Sequence, residues 1–106
     1  MLGIFAKQPV PGMVKTRLGE ATSVEWACAV AEAFLADSLD RFAQLDVPRA
    51  VVYSPKSATE YFRNLCGNRF ELIEQSPGDL GVRLQHFFAT SRHRGHSRIV
   101  AIGLDS

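Results

Sequence analysis

Apolar positions follow two periods that alternate along the chain: short β-branched runs, and longer stretches spaced by three and four residues. Leu2, Ile4, Phe5 and Ala6 lie in an apolar run, residues 2–6, that predicts a buried first strand followed by a loop at 7–12. Over residues 23–44, Cys28, Ala31, Leu35, Leu39 and Phe42 fall on one stripe of a long helix. Thr22-Ser23-Val24-Glu25 opens it as a capping signature, hydroxyl and carboxylate both able to meet free backbone amides, and Asp46-Val47-Pro48 ends it. Ala50-Val51-Val52-Tyr53 predicts a second strand. After Ser54-Pro55 a short helix is expected over 58–66, with Ser57 and Glu60 as its capping pair and Gly67 as a left-handed stop. Residues 70–74 make a third strand through Phe70, Leu72 and Ile73, and Gln75-Ser76-Pro77-Gly78 turns the chain. A third helix over 79–91 sets Leu80, Leu84, Phe87 and Phe88 on one face, and residues 98–104 form a fourth strand centred on Ile99-Val100-Ala101-Ile102.

Strands separated by helices imply right-handed crossovers and a parallel sheet covered on both faces. The expected class is α/β: a Rossmann-like three-layer α/β/α arrangement with a mostly parallel sheet. Ligands of such folds bind beyond the carboxyl ends of the strands, near the point where the strand order reverses. That rule selects three segments, residues 7–18, 75–83 and 103–106.

Length and composition narrow the classes. The 106 residues suit a single domain, and 46% hydrophobic with 22% charged residues is ordinary for a globular chain. Twelve Lys+Arg against eleven Asp+Glu leave a net charge of +1, which removes the main electrostatic case for nucleic-acid binding. No stretch approaches the roughly 20 apolar residues of a membrane span, and the amino terminus lacks a signal peptide's basic leader. Cys28 and Cys66 have no partner at metal-ligand spacing and read as buried small hydrophobes of a reducing compartment. The chain is therefore expected to be cytoplasmic, without membrane or nucleic-acid partners.

The charge is unevenly spread. Residues 1–19 carry Lys7, Lys15 and Arg17 and no acid, whereas residues 20–46 carry six acids against Arg41. The acidic stretch reads as a solvated helix face. The cations sit in the loop after the first strand, Lys7-Gln8-Pro9-Val10-Pro11-Gly12-Met13-Val14-Lys15-Thr16-Arg17-Leu18. Three cations and a glycine in that position suit a polyphosphate: Gly12 allows close backbone approach, and Lys15 and Arg17 neutralise charge. The loop is neither a Walker A motif nor G-x-G-x-x-G, and a basic surface loop is the alternative reading. Asp79 reads first as the cap of the third helix, Gln75 as a turn closer, and Arg83 either as a solvated helix residue or as part of a site. His86 reads as a packing residue. His93 and His96, with Arg92, Arg94 and Arg98, read as a solvated helix end. No nucleophile–base arrangement is recognisable, so no catalytic residue is assigned.

Three motifs, in order, carry a resemblance: Lys7-x-Pro9-x-Pro11-Gly12-x-Val14-Lys15-Thr16-Arg17-Leu18, Gln75-x-x-Gly78-Asp79-Leu80-Gly81-x-Arg83 and Gly103-x-Asp105-Ser106. Together they resemble a bacterial family of uncharacterised glycosyltransferase-like proteins in the nucleotide-diphospho-sugar transferase superfamily, whose fold is termed GT-A. The chain is similar in this to 2-phospho-lactate guanylyltransferase and molybdenum-cofactor guanylyltransferase. The resemblance implies that Lys7, Gly12, Lys15 and Arg17 hold nucleotide phosphates and that Gln75, Gly78, Asp79 and Arg83 lie along the nucleotide site. It also implies that Asp105 binds Mg²⁺ or Mn²⁺.

The sequence departs from that family at Leu104, where Thr is common, and in stopping at Ser106 before the family's acceptor-side half. The expected unit is thus one domain over residues 1–106 that corresponds to an incomplete, nucleotide-binding half of the GT-A fold. Two functions are expected from it: a metal-dependent nucleotidyl- or glycosyltransferase using a nucleoside triphosphate or nucleotide sugar, or a non-catalytic fragment that binds nucleotide or self-associates. An unpaired strand edge would favour a homo-oligomer.

Overall fold

The computed structural model describes residues 1–11, 20 and 22–104. Along the chain run β1 (Leu2–Lys7), α1 (Val24–Phe42), β2 (Arg49–Ser54), a 3-10 turn (Lys56–Ala58), α2 (Thr59–Cys66), β3 (Glu71–Glu74), α3 (Leu80–His93) and β4 (Val100–Gly103). The four strands form one sheet in the order β3-β2-β1-β4, and every pairing is parallel. The α/β class read from the sequence holds, with a wholly parallel sheet among the described residues.

Strand alternation divides the core between two faces. Ile4, Ala6, Val51 and Tyr53 point to one side, where Leu35 and Leu39 of α1 and Phe62 and Cys66 of α2 cover them. Phe5 and Val52 point to the other side and pack under Phe87 of α3. The Phe5 and Phe87 rings meet edge to face at 5.6 Å. Gly3 makes this seat possible: a Cβ there would fall 2.2 Å from Cζ of Phe87. The sequence gives no sign of that demand, because the residue that needs the space lies a whole domain away.

The chain runs outward from β1 through β2 to β3, then crosses back so that β4 lies on the other flank of β1. The order therefore reverses between β1 and β4, which is where folds of this type place a ligand.

Several local expectations shift. Ser23 is the N-cap of α1 and its hydroxyl accepts from Trp26 N at 3.0 Å, one residue later than the predicted box. The Ser57–Glu60 capping pair does not form. The 3-10 turn runs directly into α2, so Ala58 occupies the cap position without a side-chain bond, and Glu60 pairs with Arg63 instead. Gly67 ends α2 with φ 58° and ψ −130°, a positive-φ conformation outside the left-handed helical basin. β3 and β4 are shorter than predicted, four residues each. Leu80 is 63% exposed, because it stands on the first turn of α3. No helix among the described residues is long and apolar enough to cross a membrane.

Candidate functional site

Because all four strands run the same way, their carboxyl ends open on one rim. Lys7, Ser54, Glu74 and Gly103 end β1, β2, β3 and β4 there. Of the first predicted segment, residues 7–11 are described. Gln8 N donates to Ser54 O at 3.1 Å, which holds the start of that loop against the tip of β2. Gly12, Lys15 and Arg17 lie outside the described residues, as does Asp105. The fourth strand hands its chain to the same rim: Leu104 N donates to Phe5 O at 3.0 Å, beside the end of β1.

The segment after β3 is tied down by side chains. Gln75 N continues the ladder to Tyr53 O at 2.8 Å. The Gln75 amide then reaches across the strand tips, its Nε2 donating to Val52 O at 3.0 Å and Ala6 O at 3.4 Å. Arg83, one turn into α3, donates from Nη1 to Gln75 Oε1 at 2.9 Å and from Nε to Gly78 O at 2.8 Å. Gly78 has φ 111°, a conformation that favours glycine. The Asp79 carboxylate accepts from Val82 N at 2.9 Å and caps α3, as read from the sequence. The described parts of the three segments, residues 7–11, 75–83 and 103–104, thus lie at one rim, and Gln75 and Arg83 turn out to be hydrogen-bonded to each other.

Below this turn, between β2, β3 and α3, lies a cavity of about 30 Å³ bordered by Val52, Ile73, Ser76, Arg83, His86 and Phe87. It has room for water molecules only. Ser76 Oγ is buried there without a partner among the described residues. His86 borders the cavity next to Phe87 but is exposed, so it is not the packing residue read from the sequence.

The two thiols belong to the other face. Cys28 and Cys66 are buried and unbridged. Burial, with the Glu32 carboxylate 3.4 Å from Sγ, raises the Cys28 thiol above its ordinary value, and burial pushes Cys66 up to about 11. Both stay protonated at neutral pH and act as packing groups.

Metal binding needs a gathered donor set. Among the described residues no three His, Cys, Asp or Glu side chains form one. Asp79, the acid of the Gln75–Arg83 motif, is engaged by Val82 N. The described residues therefore do not make a divalent-ion site by themselves, and no reaction step is derived through one.

A four-stranded parallel sheet between helical layers, with its strand order reversing beside β1, makes the chain an α/β protein of the three-layer kind. Residues 38–106 match the family described as "Uncharacterized protein conserved in bacteria (DUF2064)", and the chain belongs to it. That match includes the Gln75–Arg83 motif and residues 103–106. The crystal structure of a Desulfovibrio desulfuricans G20 protein, provisionally named a nucleotide-diphospho-sugar transferase, is similar with a TM-score of 0.86 at 32% identity. The similarity covers 96% of this chain, which spans 46% of the length of that structure. No curated protein matches the chain. The superfamily named from the motifs is thereby supported.

Proposed function

We propose that this chain binds a nucleoside triphosphate or nucleotide sugar on the carboxyl rim of its sheet and serves nucleotidyl or glycosyl transfer. The observation that carries this reading is that the described parts of the three segments, residues 7–11, 75–83 and 103–104, converge on one rim. Gln75 is bonded to the ends of β1 and β2, and residue 104 is bonded beside β1, at the strand-order reversal. The similarity to a structure provisionally named a nucleotide-diphospho-sugar transferase favours transfer chemistry over simple binding.

In this reading Lys7, Gly12, Lys15 and Arg17 hold the phosphates, and Gln75, Gly78, Asp79 and Arg83 line the nucleotide. Asp79 contributes there by fixing the start of α3. The likeness to 2-phospho-lactate guanylyltransferase points to nucleotidyl transfer. An acceptor oxygen then attacks the α-phosphorus in line, the bond to the bridging oxygen breaks, pyrophosphate leaves with the electron pair, and the acceptor proton passes to solvent. The cations act by positioning and by stabilising charge on the leaving group. Mg²⁺ or Mn²⁺ at Asp105 belongs to the same proposal, with phosphate oxygens supplying further ligands to a hard cation.

Calorimetric titration of ATP, GTP, CTP, UTP and UDP-glucose, with and without Mg²⁺, tests it. Binding by the wild-type chain, weakened in Lys15→Ala and made metal-independent in Asp105→Ala, is the expected result. Absence of binding to all five ligands overturns the reading. Binding without turnover, when acceptors are supplied, leaves the non-catalytic function in its place.

A further inference from the structure

We propose that Gln75 and Arg83 form a clamp that positions the turn after β3 for ligand binding while leaving the Arg83 charge unneutralised. This rests on the nucleotide reading above and deepens it.

The clamp is built from neutral partners. Gln75 must present its amide nitrogen to two strand carbonyls, Val52 O and Ala6 O, which fixes its oxygen toward Arg83. Arg83 answers with two different nitrogens, Nη1 on Gln75 and Nε on Gly78 O, so its planar guanidinium closes the turn at both ends. Lysine has one ammonium on a flexible stem and cannot reproduce this fork. Among the described residues Arg83 makes no ion pair with a carboxylate, although Arg63, Arg69 and Arg94 each make one. Its charge is therefore held in fixed geometry by a neutral amide and a neutral carbonyl. An anion at the rim meets a cation already oriented by neutral partners, which lowers the reorganisation needed on binding.

A second consequence concerns the two strands that the Gln75 amide joins. Ala6 directly precedes Lys7, where the cationic loop begins. The clamp thus links two of the three segments from which the ligand site is proposed to be made. Arg83 in this role is a positioning residue, and its substitution acts on ligand affinity through the turn as well as through charge.

Two measurements on the whole chain separate the clamp from the nucleotide reading. In the free protein, amide hydrogen exchange at Gln75 is followed in wild type, Arg83→Lys, Arg83→Gln and Gln75→Glu, with Val51 of β2 as the internal control for global unfolding. Exchange at Gln75 is expected to speed up by roughly tenfold to a hundredfold in all three variants while Val51 is unchanged. Unchanged protection at Gln75 in Arg83→Lys and Arg83→Gln overturns the clamp.

The second measurement is titration with the five nucleotides named above. A merely structural turn would loosen in Arg83→Lys without loss of affinity, because the charge is kept. The clamp predicts that Arg83→Lys binds at least about tenfold more weakly than wild type. Gln75→Glu is predicted to weaken binding as well, since it retains an acceptor for Arg83 but neutralises it and loses both strand contacts. Wild-type affinity in Arg83→Lys overturns the positioning role. Failure of the wild-type chain to bind any of the five overturns the nucleotide reading and the positioning role with it, while the exchange result still decides the clamp.

Discussion

Arg83 and Arg94 stand near opposite ends of α3, and their partners differ in kind. Arg83, at the carboxyl rim, donates to an amide and a carbonyl. Arg94, at the other end, meets Glu71 of β3 with two bonds of 2.7 Å. The second end carries more arginines in sequence, Arg92, Arg94 and Arg98, yet Arg94 is neutralised by a carboxylate. The two ends thus differ in how their arginines are paired and not only in how many cations they carry. The rim has fewer described cations, but one of them, Arg83, is held at the turn after β3 by neutral partners.

Removing the seat shared by both ends should have the largest effect. Phe87 packs on Phe5 and over Gly3. Phe87→Ala is expected to cost about 3–5 kcal/mol in urea denaturation and to loosen both ends of α3 together. If only one end responds, α3 does not act as a rigid link between them.

Arg83→Ala comes next, at about 1–2 kcal/mol, because it abandons one part-buried acceptor, Gln75 Oε1, and one exposed acceptor, Gly78 O. The loss should persist in 1 M NaCl and from pH 7 to pH 3, since neither partner titrates. Arg94→Ala should have the smallest effect, since the pair is solvent-exposed and screened. It also carries a pH signature. The Arg94 hydrogen bond holds the Glu71 carboxyl below its ordinary value of 4.5. A lowered folded-state value contributes stability that is present above the unfolded value and lost as pH falls through the folded one. The difference between wild type and Arg94→Ala should therefore shrink below pH 4.5 and in high salt. A salt- and acid-sensitive Arg83→Ala, or an insensitive Arg94→Ala, would erase the distinction between the two ends.

The period of apolar residues was enough to read the elements and the layer order, because strand alternation and the α1 stripe are local facts. Asp79 was equally legible: an acid directly before Leu80-Gly81-Val82 has a helix to cap. Gln75 and Arg83 could be marked as site residues from the motif, but their mutual bond could not be read. It depends on Gln75 reaching carbonyls of β1 and β2, one of them 69 residues away in sequence. Gly3 looked like an ordinary strand residue for the same reason. The Ser57–Glu60 pair failed because capping signatures assume an abrupt helix start, and here a 3-10 turn leads in. Leu80 kept the helical period but not the burial, since period describes a face and not what covers it.

The central claim is that anionic ligands bind at the carboxyl rim and not at the cation-rich opposite end. Backbone amide shifts recorded during titration with nucleoside triphosphate and Mg²⁺ test it directly. The predicted result is a cluster of shifted resonances at Lys7, Gln8, residues 75–83 and residues 103–104, with Arg92 to Arg98 unchanged. Shifts concentrated at Arg92, Arg94, His96 and Arg98, with the rim silent, would contradict it.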